Sequence, residues 1–279
     1  MLPKTLVHTF SIASTHLNPL SWGRFWMVAT PMATVAIGDI HGNLAALQDL
    51  LPRVMAKVSH QDTLVLLGDY IDRGSNSRGC LERIIRLKDE APCPVVTLIG
   101  NHEDWMLKTL RDFTDHSWVL DMEGFDTISS YSADAAATLR RELDWVGRHV
   151  VEERVRIGYE IFFDSMPRKH LEFLKRLKLY HRTADVVCVH GGVLGDRPLD
   201  QQDPETLLWG PDGFPDGYHG LEAVVYGHWN NSVPDENGWP GPCVKANRTF
   251  GIDTISHGFL TAMSFPDGEV IQSGWGGWE

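Results

Sequence analysis

Short apolar runs, polar loops and amphipathic stretches alternate along the first part of the chain. Thr34-Val35-Ala36-Ile37 is continuous, β-branched and ended by Gly38, which predicts a short buried strand. Past the loop, Leu44, Leu47, Leu50, Leu51 and Val54 recur at helical spacing and form one apolar stripe able to cover a sheet. The pattern repeats with a strand over Thr63 to Leu67, a loop from Gly68 to Gly74, and a helix carrying Leu81, Ile84 and Ile85. A third copy has Val95 to Ile99 as strand and Trp105, Met106, Leu107 and Leu110 on the next helix. Three strand–loop–helix units predict an α/β fold with a largely parallel sheet and right-handed crossovers.

The stretch from about Phe113 to Lys178 reads as helical and polar-rich, an insertion or cap on that sheet. Its charge run (Arg140, Arg141, Glu142, Glu152, Glu153, Arg154 and Arg156) reads as a solvated helix face. Strands resume at Val186 to Val189 and Ala223 to Tyr226. An antiparallel finish is expected over Thr249 to Asp253, Leu260 to Phe265 and Glu269 to Gln272, the last two joined by the turn Pro266-Asp267-Gly268. Gly195 to Gly220 reads as loop. Residues 1–32, with Pro3, Pro19 and Pro31 and the aromatics Trp22, Phe25 and Trp26, form an N-terminal extension to a single domain over 33–279.

The 43% hydrophobic and 22% charged content is that of an ordinary globular chain. The formal net charge of −12 argues against a nucleic-acid backbone or an anionic membrane as main partner. It leaves an anionic substrate open, because bound cations invert the field inside a cleft. Cys80, Cys93, Cys188 and Cys243 are scattered with no Cys-x-x-Cys pair, so reduced structural thiols and a cytoplasmic location are expected. No stretch approaches the ~20 apolar residues of a membrane span.

The chemistry gathers where strands end. Gly38-Asp39-Ile40-His41-Gly42, Gly68-Asp69-Tyr70-Ile71-Asp72-Arg73-Gly74, Gly100-Asn101-His102-Glu103, His190-Gly191-Gly192 and Gly227-His228 each follow an apolar run. Asp39 and Asp69 are 30 residues apart and Asp69 and Asn101 are 32 apart, so successive units bring these loops to one sheet edge. In an extended stretch Asp39 and His41 face the same way and grip one ion, with Asp69 bridging to a second through its two oxygens. Asn101, His190 and His228 complete the shell of that second ion. Oxygen and imidazole donors without thiolate suit Mn²⁺, Fe or Zn²⁺. Arg73 is placed to fork onto phosphate, and His102 to protonate a leaving alkoxide with Asp72 orienting its ring.

These ordered clusters resemble the phosphoprotein phosphatase family of calcineurin-like metallophosphoesterases, over roughly residues 34 to 272. The resemblance implies a two-sheet β-sandwich flanked by helices and a dinuclear site, with Asp39, His41 and Asp69 on one metal and Asp69, Asn101, His190 and His228 on the other. It also gives His102 with Asp72 to leaving-group protonation and Arg73 to phosphate. His170-Leu171-Glu172-Phe173-Leu174 and Pro204 to Trp209 look like the bacterial serine/threonine phosphatase branch. Pro211 stands where that branch often has arginine, with Arg197 and Arg248 as stand-ins. Gly227-His228-Trp229 resembles instead the symmetrical dinucleoside-tetraphosphatase branch.

The expected activity is hydrolysis of a phosphomonoester, foremost a phosphorylated Ser, Thr or Tyr side chain, by attack of a metal-bridged hydroxide. The clusters hold no suitably placed Ser or Cys nucleophile, which favours that direct route. The alternatives are cleavage of a dinucleoside polyphosphate and a non-catalytic, metal-stabilised phosphopeptide binder. Trp209, Trp229 and Trp239 read first as packing or loop anchors and second as stacking surfaces. His60, His116, His149, His170, His181 and His257 read as surface or capping residues.

Overall fold

The alternation of apolar side chains within each strand sorts them onto two faces, and each face has its own core. In a computed structural model that describes residues 32–235 and 238–274, β1 (Thr34–Ile37) and β2 (Thr63–Leu66) turn Val35, Ile37, Leu64 and Leu66 toward helices. Ala36 and Val65 point the other way, into a second cluster shared with Val186, Cys188, Ala223 and Val225. Period-2 geometry thus builds a sandwich from strands apolar on both sides. The expectation about residues 1–31, including the Trp22, Phe25 and Trp26 group, lies outside the described residues.

The first sheet also holds β3 (Val95–Thr97), followed in sequence by the strands of the second sheet: β4 (Tyr180–Arg182), β5 (Val187–Val189) and β6 (Val224–Tyr226). A small hairpin, β7 (Val233–Pro234) and β8 (Pro240–Gly241), precedes β9 (Cys243–Val244), β10 (Thr249–Gly251), β11 (Thr261–Phe265) and β12 (Val270–Gln272). The sheet orders are β12-β11-β1-β2-β3 and β4-β5-β6-β10-β9. Within them β1, β2 and β3 run parallel, and so do β5, β6 and β10. The sheet is therefore not one largely parallel array but two mixed ones. Thr249–Gly251 does not pair with the two strands that follow it; it joins the second sheet, parallel to β6 and antiparallel to β9, with Phe250 and Ile252 packed against the inter-sheet core.

Helices α1 (Leu44–Met55), α2 (Ser77–Glu90) and α3 (Asn101–Arg111) follow β1, β2 and β3. Asn43 and Asn76 cap α1 and α2 by accepting the N–H of Ala46 and Gly79. Six helices then span the polar-rich segment: α4 (Ser117–Asp121), α5 (Gly124–Tyr131), α6 (Ala133–Val146), α7 (His149–Glu152), α8 (Glu160–Phe163) and α9 (Arg168–Leu174). The Gly195–Gly220 stretch is not all loop, since α10 (Pro204–Trp209) starts at a proline behind the Asp203 cap and buries Leu207 and Leu208. Among the described residues no helix is long and apolar enough to cross a membrane.

Candidate metal centre

Six parallel strands, three in each sheet, present their carboxyl ends to one site. Asp39, Asp69 and Asn101 lie just past β1, β2 and β3; His190, His228 and Asp253 lie just past β5, β6 and β10. All six side-chain bearers are buried or nearly so. Glycine lets the chains close in. A Cβ on Gly100 would stand 2.0 Å from Asp69 Oδ1, and one on Gly227 would stand 2.0 Å from Asp39 Oδ1.

Asp69 is the hub. Its Oδ2 lies 3.4 Å from His190 Nε2, 3.6 Å from His41 Nε2 and 3.9 Å from His102 Nε2. Donor atoms of His41, Asp69 and His102 lie within 4.8 Å of one another, and so do those of Asp69, His190 and His228. Two expected details differ. One oxygen of Asp69 does the gathering, since its Oδ1 accepts the backbone N–H of His102 at 3.2 Å. The Asp39–His41 stretch is not extended either, because His41 sits at φ 45°, and Asp39 stands outside both groups. Asp69, Asp72, Arg73 and His228 share that left-handed backbone, as strained functional loops often do.

Backbone carbonyls fix the rings. His41 Nδ1–H donates to Ile71 O and His190 Nδ1–H to Leu67 O, both at 3.1 Å, so each Nε2 faces inward. His190 Nε2 and His228 Nδ1 both meet Asn101 Oδ1, at 2.8 and 3.0 Å. Burial opposes charge on His190, but Asp69, with Asp39 and Glu103 behind it, pushes its pKa up to about 10. Its Nε2 proton therefore fills the gap to Asn101. Burial and the neighbouring His190 hold His228 neutral, with a pKa pushed down to about 3. Arg73 donates from Nη1 to His41 Nε2 at 3.0 Å. A proton and a guanidinium thus stand where inward lone pairs converge.

The opposite wall is incomplete. Asp39 Oδ2 accepts the His228 N–H at 2.9 Å and Asp253 Oδ2 the Asn230 N–H at 2.7 Å, yet Oδ1 of each is buried without a partner. Burial first, and then the neighbouring Asp253 carboxylate, drive Asp39 well above the ordinary carboxylate range. Two orphaned carboxylate oxygens beside inward-facing imidazoles fit divalent cations, which would displace the ring proton and satisfy those oxygens. The donors are oxygen and nitrogen only, and the residues present fit the group.

On the near side every acceptor is used. Asp72 Oδ2 accepts from His102 Nδ1 (2.8 Å) and Trp118 Nε1 (2.9 Å), and Oδ1 from Thr127 Oγ1 (2.5 Å). Burial raises the Asp72 carboxyl while these donors, His102 foremost, draw it back. Burial lowers His102, but the Asp69 charge and the Asp72 hydrogen bond outweigh it and the ring's pKa is raised. Glu103 accepts the N–H groups of Asp69, Gly100, Tyr70 and Ile71 at 2.7–3.3 Å. Burial and the Asp69 charge push Glu103 up to about 7, but four N–H donors leave no acceptor for a carboxyl proton and so favour the ionised form.

The chemistry at this edge matches a known family. The profile of the calcineurin-like phosphoesterases matches residues 32–258. The chain is a calcineurin-like phosphoesterase. This family is dinuclear and metal-dependent, which accords with the two donor groups sharing Asp69. The symmetrical bis(5'-nucleosyl)-tetraphosphatase of Nitrosomonas europaea is 26% identical over 75% of this chain and 64% of its own length. That of Chromohalobacter salexigens is 26% identical over 85% of this chain and 96% of its own. Among solved structures, one of a candidate diadenosine tetraphosphatase matches with a TM-score of 0.55 at 22% identity, covering 88% of this chain and 95% of that one. A yeast serine/threonine phosphatase matches with a TM-score of 0.51 at 17% identity, covering 89% and 81%. Both likenesses show the fold. The two curated relatives named here thus carry the nucleotide name.

Several residues of this phosphoesterase centre escape a reading of the sequence. Glu103 stands three residues past Gly100 and accepts its N–H at 3.0 Å, one half of a capping box whose other half glycine lacks the side chain to supply. Asp253 follows an apolar strand as Asp39 and Asp69 do. Trp118 and Thr127 lie 46 and 55 residues from Asp72 with no local cue. His116 and His170 are not surface residues. His116 is buried against Tyr159 Oη and Val155 O, and His170 between Tyr131 Oη (2.7 Å) and Glu82 Oε2 (2.9 Å). Arg248 bonds Leu221 O, and Arg197 lines a separate groove of about 740 Å³ with Arg182 and Tyr218, so neither replaces an arginine at Pro211.

Proposed function

We propose that this phosphoesterase hydrolyses dinucleoside polyphosphates, with Asp39, His41, Asp69, Asn101, His190 and His228 as cation ligands. The observation that carries the substrate class is the similarity to the Chromohalobacter salexigens tetraphosphatase along 96% of its length. The rim supports it. Trp229 anchors its indole by donating from Nε1 to Gly191 O at 2.7 Å, yet leaves 38% of its surface exposed beside His228. Trp209 packs edge-on to the same imidazole, 5.3 Å between centroids. An exposed indole face offers a nucleobase a stacking surface worth ~1–3 kcal/mol.

Divalent cations held by these donors, Mn²⁺ among those that fit, supply Lewis acidity toward the phosphoryl group and water. The side chains do the rest. Arg73, turning from His41, forks onto phosphoryl oxygens. His102, its Nδ1–H fixed on Asp72, presents Nε2 to the leaving oxygen and delivers a proton there. Glu103 holds the Asp69–Ile71 backbone rigid while this happens. The four cysteines are buried and free, and Cys188 sits in the inter-sheet core, so none is offered as a nucleophile.

One feature favours a phosphoprotein as second reading. The complete, buried His102–Asp72 pair matters most for an alkoxide leaving group, which a nucleoside diphosphate is not. The test is turnover by metal-stripped protein reloaded with Mn²⁺, on diadenosine tetraphosphate, a phosphopeptide and p-nitrophenyl phosphate, with products separated by chromatography. Adenosine diphosphate as sole product, at a kcat/KM above that for the phosphopeptide, is expected. Preference for the phosphopeptide would overturn the substrate class. Silence on all three with cations bound would overturn the hydrolase reading in favour of a binding protein.

A further inference from the structure

The Asp72 carboxylate is held from outside the strand-end loops. Thr127, on α5, clasps it twice: Oγ1 donates to Asp72 Oδ1 at 2.5 Å and accepts the Asp72 N–H at 2.9 Å. Trp118, on α4, donates to the same Oδ2 that His102 uses. Asp72, Trp118 and Thr127 are all fully buried. The indole cannot swing away. It packs on Phe162 and Phe163 at 5.5 and 6.4 Å, and Gly124 presses so close that a Cβ there would lie 2.8 Å from Trp118 Cε2.

Three donors on two oxygens leave the carboxylate one orientation. Without them, Asp72 at φ 69° would rest on a strained loop with free rotation about its side chain. We propose that Trp118 and Thr127 are positioning residues, through which the helical segment aims Asp72 and hence His102 at the leaving group. This rests on the phosphoesterase reading above. Its consequence is that repacking of α4, α5 and α8 tunes leaving-group protonation without touching a cation ligand.

The test uses Thr127→Val, which keeps shape and removes one donor, Trp118→Phe, which removes the indole N–H together with part of the ring volume, and Thr127→Ser, which restores the hydroxyl. Two substrates separate the roles: phenyl phosphate, whose leaving group needs a proton, and p-nitrophenyl phosphate, whose leaving group does not. Trp118→Phe and Thr127→Val are expected to lose about 10–100-fold in kcat on phenyl phosphate with KM nearly constant. On p-nitrophenyl phosphate they lose only a few-fold, and Thr127→Ser recovers the difference. The ¹H–¹⁵N resonance of the His102 Nδ1–H, read without substrate, should broaden in both variants through faster exchange. Equal losses on the two substrates, or an unchanged His102 resonance, would overturn the proposal. Should Trp118→Phe not fold, the Thr127 pair decides alone. Should the wild-type protein turn over neither aryl ester, the resonance alone decides whether His102 is positioned from the helices, while turnover of diadenosine tetraphosphate decides the hydrolase reading.

Discussion

Two halves of one site contrast in how far their hydrogen bonding is finished. Around Asp72 and Glu103 each carboxylate oxygen has its donors, seven hydrogen bonds in all from side chains and backbone. Around Asp39 and Asp253 two buried oxygens have none. Both halves are equally sealed from water, so exposure does not explain the difference. A finished network fixes geometry; an unfinished one holds coordination capacity in reserve. In the function proposed above, the first half would orient an acid and brace a loop, and the second would receive cations.

The largest effect should come from the residue the halves share. Asp69→Asn is expected to lower turnover by roughly 10³-fold and to abolish cation retention, read by steady-state kinetics and elemental analysis. Retained cations with normal turnover would dissolve the distinction between hub and periphery. The same carboxylate-to-amide change should then have opposite signs in the two halves of the metal-free protein. Glu103→Gln turns an NH₂ toward backbone N–H groups and should cost about 1–3 kcal/mol in thermal unfolding. Asp39→Asn removes a carboxylate that burial and Asp253 already disfavour, and should raise the melting temperature by about 2–4 °C while reducing the rise on adding Mn²⁺. A fall in both variants would refute the contrast.

Smaller effects lie at the edges. Trp229→Phe removes the bond to Gly191 O and part of the stacking face, and should raise KM for the dinucleotide about five-fold while sparing p-nitrophenyl phosphate. His170 gives a pH signature away from the centre. Burial lowers its pKa below the ordinary 6.5, and the neutral ring donates to Glu82 and accepts from Tyr131. The unfolded chain binds that proton more readily, so the stability is present above pH 6.5 and lost as pH falls through the folded pKa. His170→Gln should flatten that part of the stability curve measured by urea titration.

Much of the centre is legible because strand ends are legible. Asp39, Asp69 and Asn101 recur at the spacing of one βα unit, and the glycines beside them mark close approach. The second sheet hides its part better. His190, His228 and Asp253 follow strands of three residues separated by irregular loops, so no period announces that β5, β6 and β10 are parallel. Register across two sheets depends on which face of Val186, Cys188 and Ile252 meets Ala36 and Val65, a packing choice that no local window contains. Trp118 and Thr127 are hidden for the same reason, since their partner lies across a helix junction.

The most direct test of the unfinished half is calorimetric titration of metal-stripped protein with Mn²⁺. Two ions per chain are expected, with proton release as the cation replaces the His190 ring proton. The Asp39→Asn variant should show a weakened first or second site with the fold intact. Binding of no ion, or binding unaltered by that substitution, would contradict the assignment of the orphaned carboxylates to a dinuclear centre.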